Sequence, residues 1–295
     1  MSGPECCSNS PVLNPNAGAG HVEKLAALDS YLSGSPNSIA ILLVSDVFGY
    51  EAPNLREIIK EHLFQHILIN YAANRIWMFH SALFANSLFL HFCDAKCSIP
   101  LGSNTVSSLM LRNIADKVAA AGYYVVVPDF FYGDPYNPEN ASRPLSVWLK
   151  DHGTDKGSEA AKSIIEALKS KGVTAIGAAG FCWGGKVVVE LAKSRLIQAD
   201  VLLHPAFVSV DDIKGVDIPT AVLGAEIDKM SPPELVKQFE QVLTAKPGVV
   251  DCFVKIFPKV SHGWTVRYNP EDAEAVKAAE EAHQDMLNWF AKHLK

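Results

Sequence analysis

Short uninterrupted apolar runs alternate along this chain with stretches in which apolar positions recur every three or four residues. The runs are typical of strands that a parallel sheet buries on both faces, and the longer spacing is typical of amphipathic helices. The predicted strands are 39–44, 123–128, 173–179, 199–204, 218–225 and 252–257. The predicted helices are 145–150, 158–171, 186–193, 232–245 and 270–295. This alternation predicts an α/β fold with a doubly wound, mostly parallel sheet and helices on both faces.

The N-terminal residues have a different composition from the rest. Residues 1–24 contain many Pro, Asn, Gly and Ser residues, which favour an extended arm. A short strand is expected at 28–32, before the Ser-Gly-Ser-Pro turn at 33–36. We therefore predict an arm at 1–24 and a single domain at 25–295.

One segment, 57–112, interrupts this pattern. Asn54-Leu55-Arg56 is typical of a helix start, and 114–122 resembles the remainder of the same helix with a Gly stop. The segment between them has an almost uncharged run at 76–92, and Leu-Arg occurs at both of its edges. Without it about 240 residues remain, an ordinary length for one α/β domain.

Three interpretations of 57–112 compete. It could be a substrate lid. It could be a membrane segment, although the apolar run at 76–92 is shorter than the roughly 20 residues that a span needs. It could also be translated non-coding sequence such as a retained intron. We favour the intron, because an insertion inside a helix disrupts backbone hydrogen bonding that an insertion in a loop would spare. His62 and His66 lack the context that completes a metal site.

Composition narrows the class of protein. The chain is 48% hydrophobic and 20% charged, with a net charge of −6, which gives no reason to expect nucleic acid or an anionic membrane as a partner. The six cysteines are irregularly spaced, and neither Cys6-Cys7 nor Cys93/Cys97 has a matching second pair for zinc. We expect no metal and no cofactor. Without a secretory pattern at the N-terminus, we expect a cytoplasmic monomer or weak homodimer acting on a small molecule.

The strongest chemical motif is Gly180-Phe181-Cys182-Trp183-Gly184-Gly185. It follows the predicted strand 173–179 and opens the predicted helix 186–193, which is the context of a nucleophile elbow. A thiolate at Cys182 would be stabilised by the unpaired N–H groups and the dipole of the helix. The alternative is a glycine-rich turn with a buried, inert cysteine.

An acid and a histidine follow this cysteine in the order that α/β-hydrolases use. Asp228 comes just after the predicted strand 218–225, and His262 just after the last one. His262 can accept the thiol proton of Cys182, and Asp228 can orient the imidazole. Either residue alone is more often a solvated turn residue. The ordered set at strand ends favours catalysis.

Other candidates surround this set. The backbone N–H groups of Trp183 and Val47 would form the oxyanion hole, which places Asp46 near the thiol. The aromatic loop after 123–128 either packs in the core or walls a substrate pocket, and we hold the two as equal. His204, at a strand end, is interpreted as mostly structural, with a place in the lining of the cleft as the alternative. The other candidate substrate-binding residues are Phe48, Phe131, Tyr132 and Trp264.

Four stretches together resemble the dienelactone hydrolase family, the carboxymethylenebutenolidases: 44–49, 128–131, the Gly-Phe-Cys-x-Gly-Gly motif at 180–185, and Asp228 with Ser-His-Gly at 261–263. The resemblance covers about 25–56 and 113–295. It implies a Cys182-His262-Asp228 triad that hydrolyses esters or lactones without metal, through a thioester acyl-enzyme.

The resemblance also implies roles for two charged residues. An acid at Asp46 would interact with the resting thiol, where bacterial members usually carry Glu. Arg267 resembles a binder of a substrate carboxylate. Plant proteins similar to this one are often named mixed-linkage β-glucanase, so the rival activity is β-glucan hydrolysis by Asp46, Glu51, Glu226 or Asp228. A further rival is an inactive splice variant, in which 57–112 disrupts the first strand-helix unit.

Overall fold

The predicted sheet is present. The computed structural model describes residues 19–50, 110–246 and 251–295, all within one structural unit. Its strands are β1 (His21–Leu25), β2 (Leu28–Ser33), β3 (Ile39–Val44), β4 (Tyr124–Pro128), β5 (Ala175–Phe181), β6 (Ala199–Leu203), β7 (Thr220–Ile227) and β8 (Cys252–Ser261). They form one sheet in the order β1-β2-β4-β3-β5-β6-β7-β8. β1 and β2 pair antiparallel, β2 pairs antiparallel with β4, and the remaining pairs are parallel.

Helices cover both faces of the sheet, as the alternating pattern predicted. The described helices are α1 (Met110–Ala120), α2 (Leu145–Asp151), α3 (Thr154–Ser170), α4 (Trp183–Lys193), α5 (Val210–Lys214), α6 (Pro233–Thr244) and α7 (Ala273–His293). The core on one face contains buried residues of α2 to α6. The core on the other face contains those of α1 and α7. The predicted α/β fold, a doubly wound, mostly parallel sheet with helices on both faces, is confirmed.

The continuous apolar runs exist because each central strand faces two cores. Along β3, Ala40, Leu42 and Val44 pack into the first core, while Ile41 and Leu43 pack into the second. Successive side chains of a strand point to opposite faces, so nearly every side chain of a strand covered on both sides lies in a core, which favours apolar residues. The parallel strands end at one edge of the sheet, where the loops that follow β3, β5, β7 and β8 meet.

Several predicted boundaries are wrong. The arm was expected to run to residue 24, but β1 begins at His21 and pairs with β2 across the Ala26-Ala27 turn. α3 begins at Thr154 rather than 158, since Gly153 provides an extended N-cap. α6 begins at Pro233 rather than at 232, because Pro232 occupies its N-cap.

The C-terminal limit of the interrupting segment also moves. α1 begins at Met110, and Leu111 and Arg112 are buried within it, so 110–112 belong to the helix rather than to the insertion. The remainder of that segment, with its apolar run, histidines and Cys93/Cys97, lies outside the described residues, as do Cys6-Cys7 and most of the arm. Among the helices of 110–246 and 251–293, none combines the length and apolar character that crossing a bilayer requires.

Candidate active site

Cys182 occupies a strained turn between β5 and α4. Its backbone has φ 53° and ψ −110°, a conformation that costs a non-glycine residue on the order of 1–3 kcal/mol. The surrounding backbone holds it there: Cys182 donates its N–H to Leu203 O at 3.2 Å and accepts at its carbonyl from Ala206 N at 2.9 Å. The cysteine side chain is buried. This is the strand–turn–helix geometry that a nucleophile elbow requires, with Cys182 at the N-cap of α4.

Glycines make this elbow possible. A Cβ on Gly180 would overlap the carbonyl of Gly184, and a Cβ on Gly184 would overlap the carbonyl of Val44. β3 and β5 are adjacent in register, with Val44 paired to Gly180, so the loop after β3 lies beside the elbow. The two glycines allow this close approach.

His262 and Asp228 meet at the end of β7 and β8. His262 Nδ1 lies 2.8 Å from Asp228 Oδ2, and the side chain of Asp228 is inaccessible to solvent. The other carboxylate oxygen of Asp228 accepts from the N–H groups of Met230 at 2.7 Å and Ser231 at 3.1 Å. The carboxylate therefore has one fixed orientation. It selects the imidazole tautomer with the proton on Nδ1 and leaves Nε2 as the basic nitrogen.

The loop after β3 brings Asp46 and Val47 to the same edge of the sheet. Asp46 Oδ1 accepts the N–H of Phe48 at 3.0 Å, and Val47 is buried, with its carbonyl accepting from Tyr136 N at 2.9 Å. Trp183 is the first residue of α4, where a backbone N–H has no partner inside the helix. The oxyanion hole made by these two N–H groups stays a prediction.

Asp46 forms a buried ion pair with Arg267. The guanidinium Nη1 donates to Asp46 Oδ2, and both side chains are almost inaccessible to solvent. The guanidinium also lies over the ring of Phe48, 5.1 Å from its centroid. Two residues predicted from distant parts of the sequence, one for thiol activation and one for substrate binding, are thus brought together.

The predicted substrate-binding aromatics do not form one wall. Phe131 is fully buried, with its ring 4.8 Å from that of Trp148 and 4.9 Å from that of Trp183. Tyr132 is 70% exposed and borders a cavity of about 840 Å³ beside Trp183. Trp264 borders a separate cavity of about 680 Å³, which His262 and Arg267 also border.

Two residues near His262 were not identified as functional from the sequence. The ring of His204 lies 5.1 Å from the ring of His262 at an interplanar angle of 68°. Thr265 hydrogen-bonds to His204, with Nε2 and Oγ1 2.8 Å apart. The strand-end position of His204 was a usable signal, whereas nothing in the local pattern distinguished Thr265. Within 19–50, 110–246 and 251–295, no three His, Cys, Asp or Glu residues are grouped so that they could hold a metal ion.

Comparison with known proteins gives consistent matches. The model of the dienelactone hydrolase family matches residues 104–294. A maize protein named endo-1,3;1,4-beta-D-glucanase is 34% identical over 223 residues, which are 75% of this chain and 54% of the maize protein. The chain therefore spans about half the length of that relative. A carboxymethylenebutenolidase homolog from Xenopus tropicalis is 35% identical over 190 residues, covering 62% of this chain and 76% of the frog protein.

Comparison with solved structures points to the same family of folds. A crystal structure assigned as a dienelactone hydrolase from Klebsiella pneumoniae superposes with a TM-score of 0.57 at 17% identity, over 90% of this chain and 93% of the other. At that identity the likeness concerns the fold. The family match over residues 104–294 and the sequence relatives together establish that this chain belongs to the dienelactone hydrolase family.

Proposed function

We propose that the protein hydrolyses small esters or lactones, with Cys182 as nucleophile, His262 as general base and Asp228 as the residue that orients His262. The observation that carries the proposal is the 2.8 Å contact between His262 Nδ1 and Asp228 Oδ2 at the same sheet edge as the cysteine elbow. Membership of a hydrolase family supports the reaction class.

The reaction would proceed in two acyl-transfer steps. His262 Nε2 takes the thiol proton, and the sulfur of Cys182 attacks the substrate carbonyl carbon. The N–H groups of Trp183 and Val47 stabilise the negative charge on the carbonyl oxygen. The tetrahedral intermediate collapses by breaking the carbon–oxygen bond, and the leaving alkoxide receives the proton from His262. A water molecule, deprotonated by His262, then hydrolyses the thioester and regenerates the thiol.

The ion pair of Asp46 with Arg267 would shape the acyl pocket. A buried carboxylate beside the thiol would oppose formation of the thiolate, and the guanidinium of Arg267 offsets that charge. Arg267 also borders the cavity that His262 borders. We propose that a carboxylate on the substrate would compete with Asp46 for Arg267.

The proposed reaction also bears on cofactors, partners and cellular compartment. Acyl transfer through a thiol requires no metal or organic cofactor, and a net charge of −6 disfavours nucleic acid and anionic membranes as partners. A cysteine nucleophile suits a reducing compartment, so we propose a cytoplasmic monomer or weak homodimer.

The name of the maize relative suggests a second candidate, β-glucan hydrolysis. Glycosidases need two carboxyl groups across the sugar, one of them protonated as the acid. Asp46 accepts from Arg267, which favours the ionised carboxylate, and Asp228 is bound to His262. Glu226 accepts the N–H of Lys259 at 2.6 Å, and Glu51 lies outside the described residues. These contacts favour the ester or lactone reaction.

Replacement of the nucleophile tests the proposal. Cys182→Ala should lower kcat on a small dienelactone or aryl ester by at least about 10³-fold, because the covalent intermediate cannot form. Cys252→Ala is the matched control, since Cys252 is a half-buried cysteine on an edge strand. Intact-mass spectrometry of acid-quenched wild type should detect an acyl adduct that Cys182→Ala lacks. Full turnover by Cys182→Ala would refute the proposal, and reducing-sugar release by that variant from mixed-linkage β-glucan would support the second candidate.

A further inference from the structure

One short segment, 261–267, supplies two polar side chains of the site. His262 and Arg267 are five positions apart, and the backbone between them is folded into tight turns, with Trp264 N donating to Ser261 O at 3.1 Å and Arg267 N donating to Gly263 O at 2.8 Å. The geometry of both side chains therefore depends on how this segment is held against the rest of the protein.

Thr265, at the centre of that segment, is hydrogen-bonded to two other parts of the fold. Its side-chain Oγ1 lies 2.8 Å from Nε2 of His204, which follows β6. Its backbone carbonyl lies 2.9 Å from Nε2 of His283, on α7. A carbonyl oxygen only accepts, so His283 must carry its proton on Nε2. All three residues are buried, with exposures of 0 to 2%.

The His204 ring connects Thr265 to His262. His204 has a left-handed backbone, φ 39°, and donates its N–H to Leu223 O at 2.8 Å. Its ring lies edge-on to His262 at 5.1 Å and edge-on to Trp264 at 5.3 Å. The strained backbone places the imidazole between the sheet edge and the 261–267 segment, so it contacts both His262 and Thr265.

His283 contributes without adding charge. Burial lowers the pKa of His283 to about 4, so the imidazole is neutral near pH 7. A cation beneath the segment would oppose the charged imidazolium that His262 becomes during acyl transfer. A neutral N–H donor holds the carbonyl of Thr265 and avoids that repulsion.

We propose that Thr265, clamped by His204 and His283, is a positioning residue that holds His262 in register with Asp228 and the Cys182 elbow. This inference rests on the proposed function for its kinetic consequence, whereas its structural consequence, the orientation of His262, is measurable without substrate. Loss of the hydroxyl removes the link between Oγ1 and His204, so His262 can move relative to Asp228. Misplacement of a reacting group by about 1 Å can cost on the order of 10²-fold in rate.

The test is a set of threonine substitutions. Thr265→Val preserves shape and removes the hydroxyl, and Thr265→Ser retains the hydroxyl. We expect Thr265→Val to lower kcat by about 10- to 100-fold with KM changed less than about twofold, and Thr265→Ser to remain within about threefold of wild type. The matched control is Thr244→Val at an exposed helix end, where the hydroxyl bonds only its own helix.

A proton NMR measurement separates this inference from the proposed reaction. The Nδ1–H of His262, hydrogen-bonded to Asp228, should give a downfield resonance that His262→Gln lacks. Thr265→Val should shift or broaden it, whereas Thr265→Ser and Thr244→Val should not. If Thr265→Val does not fold, His204→Phe, which keeps a ring and removes the hydrogen bond to Oγ1, takes its place.

Each combination of results has a defined meaning. An unchanged resonance in a folded Thr265→Val protein overturns the positioning role whether or not any ester is turned over. A changed resonance in a protein with no hydrolytic activity supports the positioning role and refutes the proposed function. A changed resonance with a reduced kcat and serine rescue supports both.

Discussion

Three buried carboxyl groups show how local surroundings decide the chemistry of one residue type. Asp228 is held by two backbone N–H groups and by His262, and Asp46 is held by Arg267. Asp200, on β6, is fully buried beside Thr220 of β7. In both, N–H donors contact the carboxyl oxygens. The environment of Asp200 favours the neutral acid, because burial raises its pKa to about 8.

This elevated pKa predicts a pH-dependent stability. Asp200 would titrate near 3.9 in the unfolded chain and near 8 in the folded one, so the folded state retains a proton that the unfolded state loses. Its contribution is complete below about pH 4 and is lost as the pH rises towards 8. Asp200→Asn should therefore stabilise the protein more at pH 7.5 than at pH 5, measured by urea unfolding.

The comparison has an internal control. Asp217→Asn removes an exposed carboxylate paired with Arg195 and should change stability little across the same range. His283 takes up a proton on unfolding between about pH 6.5 and 4, which lowers the stability of the protein at acid pH. This loss of stability is common to all variants and cancels in the comparison. A pH-independent effect of Asp200→Asn would show that Asp200 is ionised in the folded protein.

At the scale of elements, the packing of α3 against α4 holds the turn at Cys182 in place. Trp183, whose N–H is the candidate oxyanion donor, points its indole across Gly157 of α3 and donates Nε1 to His152 O at 3.1 Å. The same ring packs against Phe130 and Phe131. The start of α4 is thus anchored by the packing of a neighbouring helix and loop as well as by its own backbone.

A methyl group at position 157 should disturb that anchor. A Cβ there would overlap the end of the Trp183 ring. Alanine improves helix propensity by about 1 kcal/mol, but overpacking costs about 1–3 kcal/mol, so we expect Gly157→Ala to lower the free energy of unfolding and the hydrolysis rate. The free energy of unfolding in urea is measured for Gly157→Ala, for Trp183→Phe and for the double variant. Trp183→Phe should lower the free energy of unfolding less in the Gly157→Ala protein than in the wild type, because the smaller ring leaves room for the methyl group. Strictly additive effects of the two substitutions would contradict the predicted contact.

At the scale of the molecule, the described residues already form an eight-stranded sheet with both faces covered. α1 begins at Met110, within the segment predicted as an insertion. The Leu-Arg pairs at 55–56 and 111–112 resolve this difference. Deleting 57–112 or 55–110 produces the same protein, in which Leu-Arg precedes Asn113.

We therefore expect a variant lacking 57–112 to fold and to hydrolyse the substrate at least as well as the full chain. Leu55 would take the buried place of Leu111 at the start of α1. Circular dichroism, thermal unfolding and the dienelactone assay measure the outcome.

A second deletion variant tests the substitution of one leucine for the other. Adding Leu55→Ala should cost about 2–5 kcal/mol of stability, as expected for a buried leucine. If the full chain is active and the deletion variant is folded but inactive, the segment takes part in the site, and the lid interpretation replaces the intron.

The sequence by itself determined the class of fold and the order of the candidate chemistry. Continuous apolar runs specify buried parallel strands, since each strand of such a sheet meets a core on both sides, and strand–Gly-x-Cys-x-Gly–helix is a local pattern. Asp228 and His262 were identifiable because strand ends in a parallel sheet converge on one edge. Boundaries such as β1 at His21 depend on pairing with β2, which no local pattern encodes.

Only the tertiary structure decided which side chains meet. Asp46 and Arg267 are far apart in the chain, and their ion pair depends on the relative placement of the loops after β3 and β8. The aromatics at 131 and 132 are adjacent in sequence, yet one is buried and the other exposed. His204 and His283 come from separate parts of the fold and converge on Thr265. Contacts of this kind arise from packing across the sheet edge, so local composition and periodicity carry no record of them.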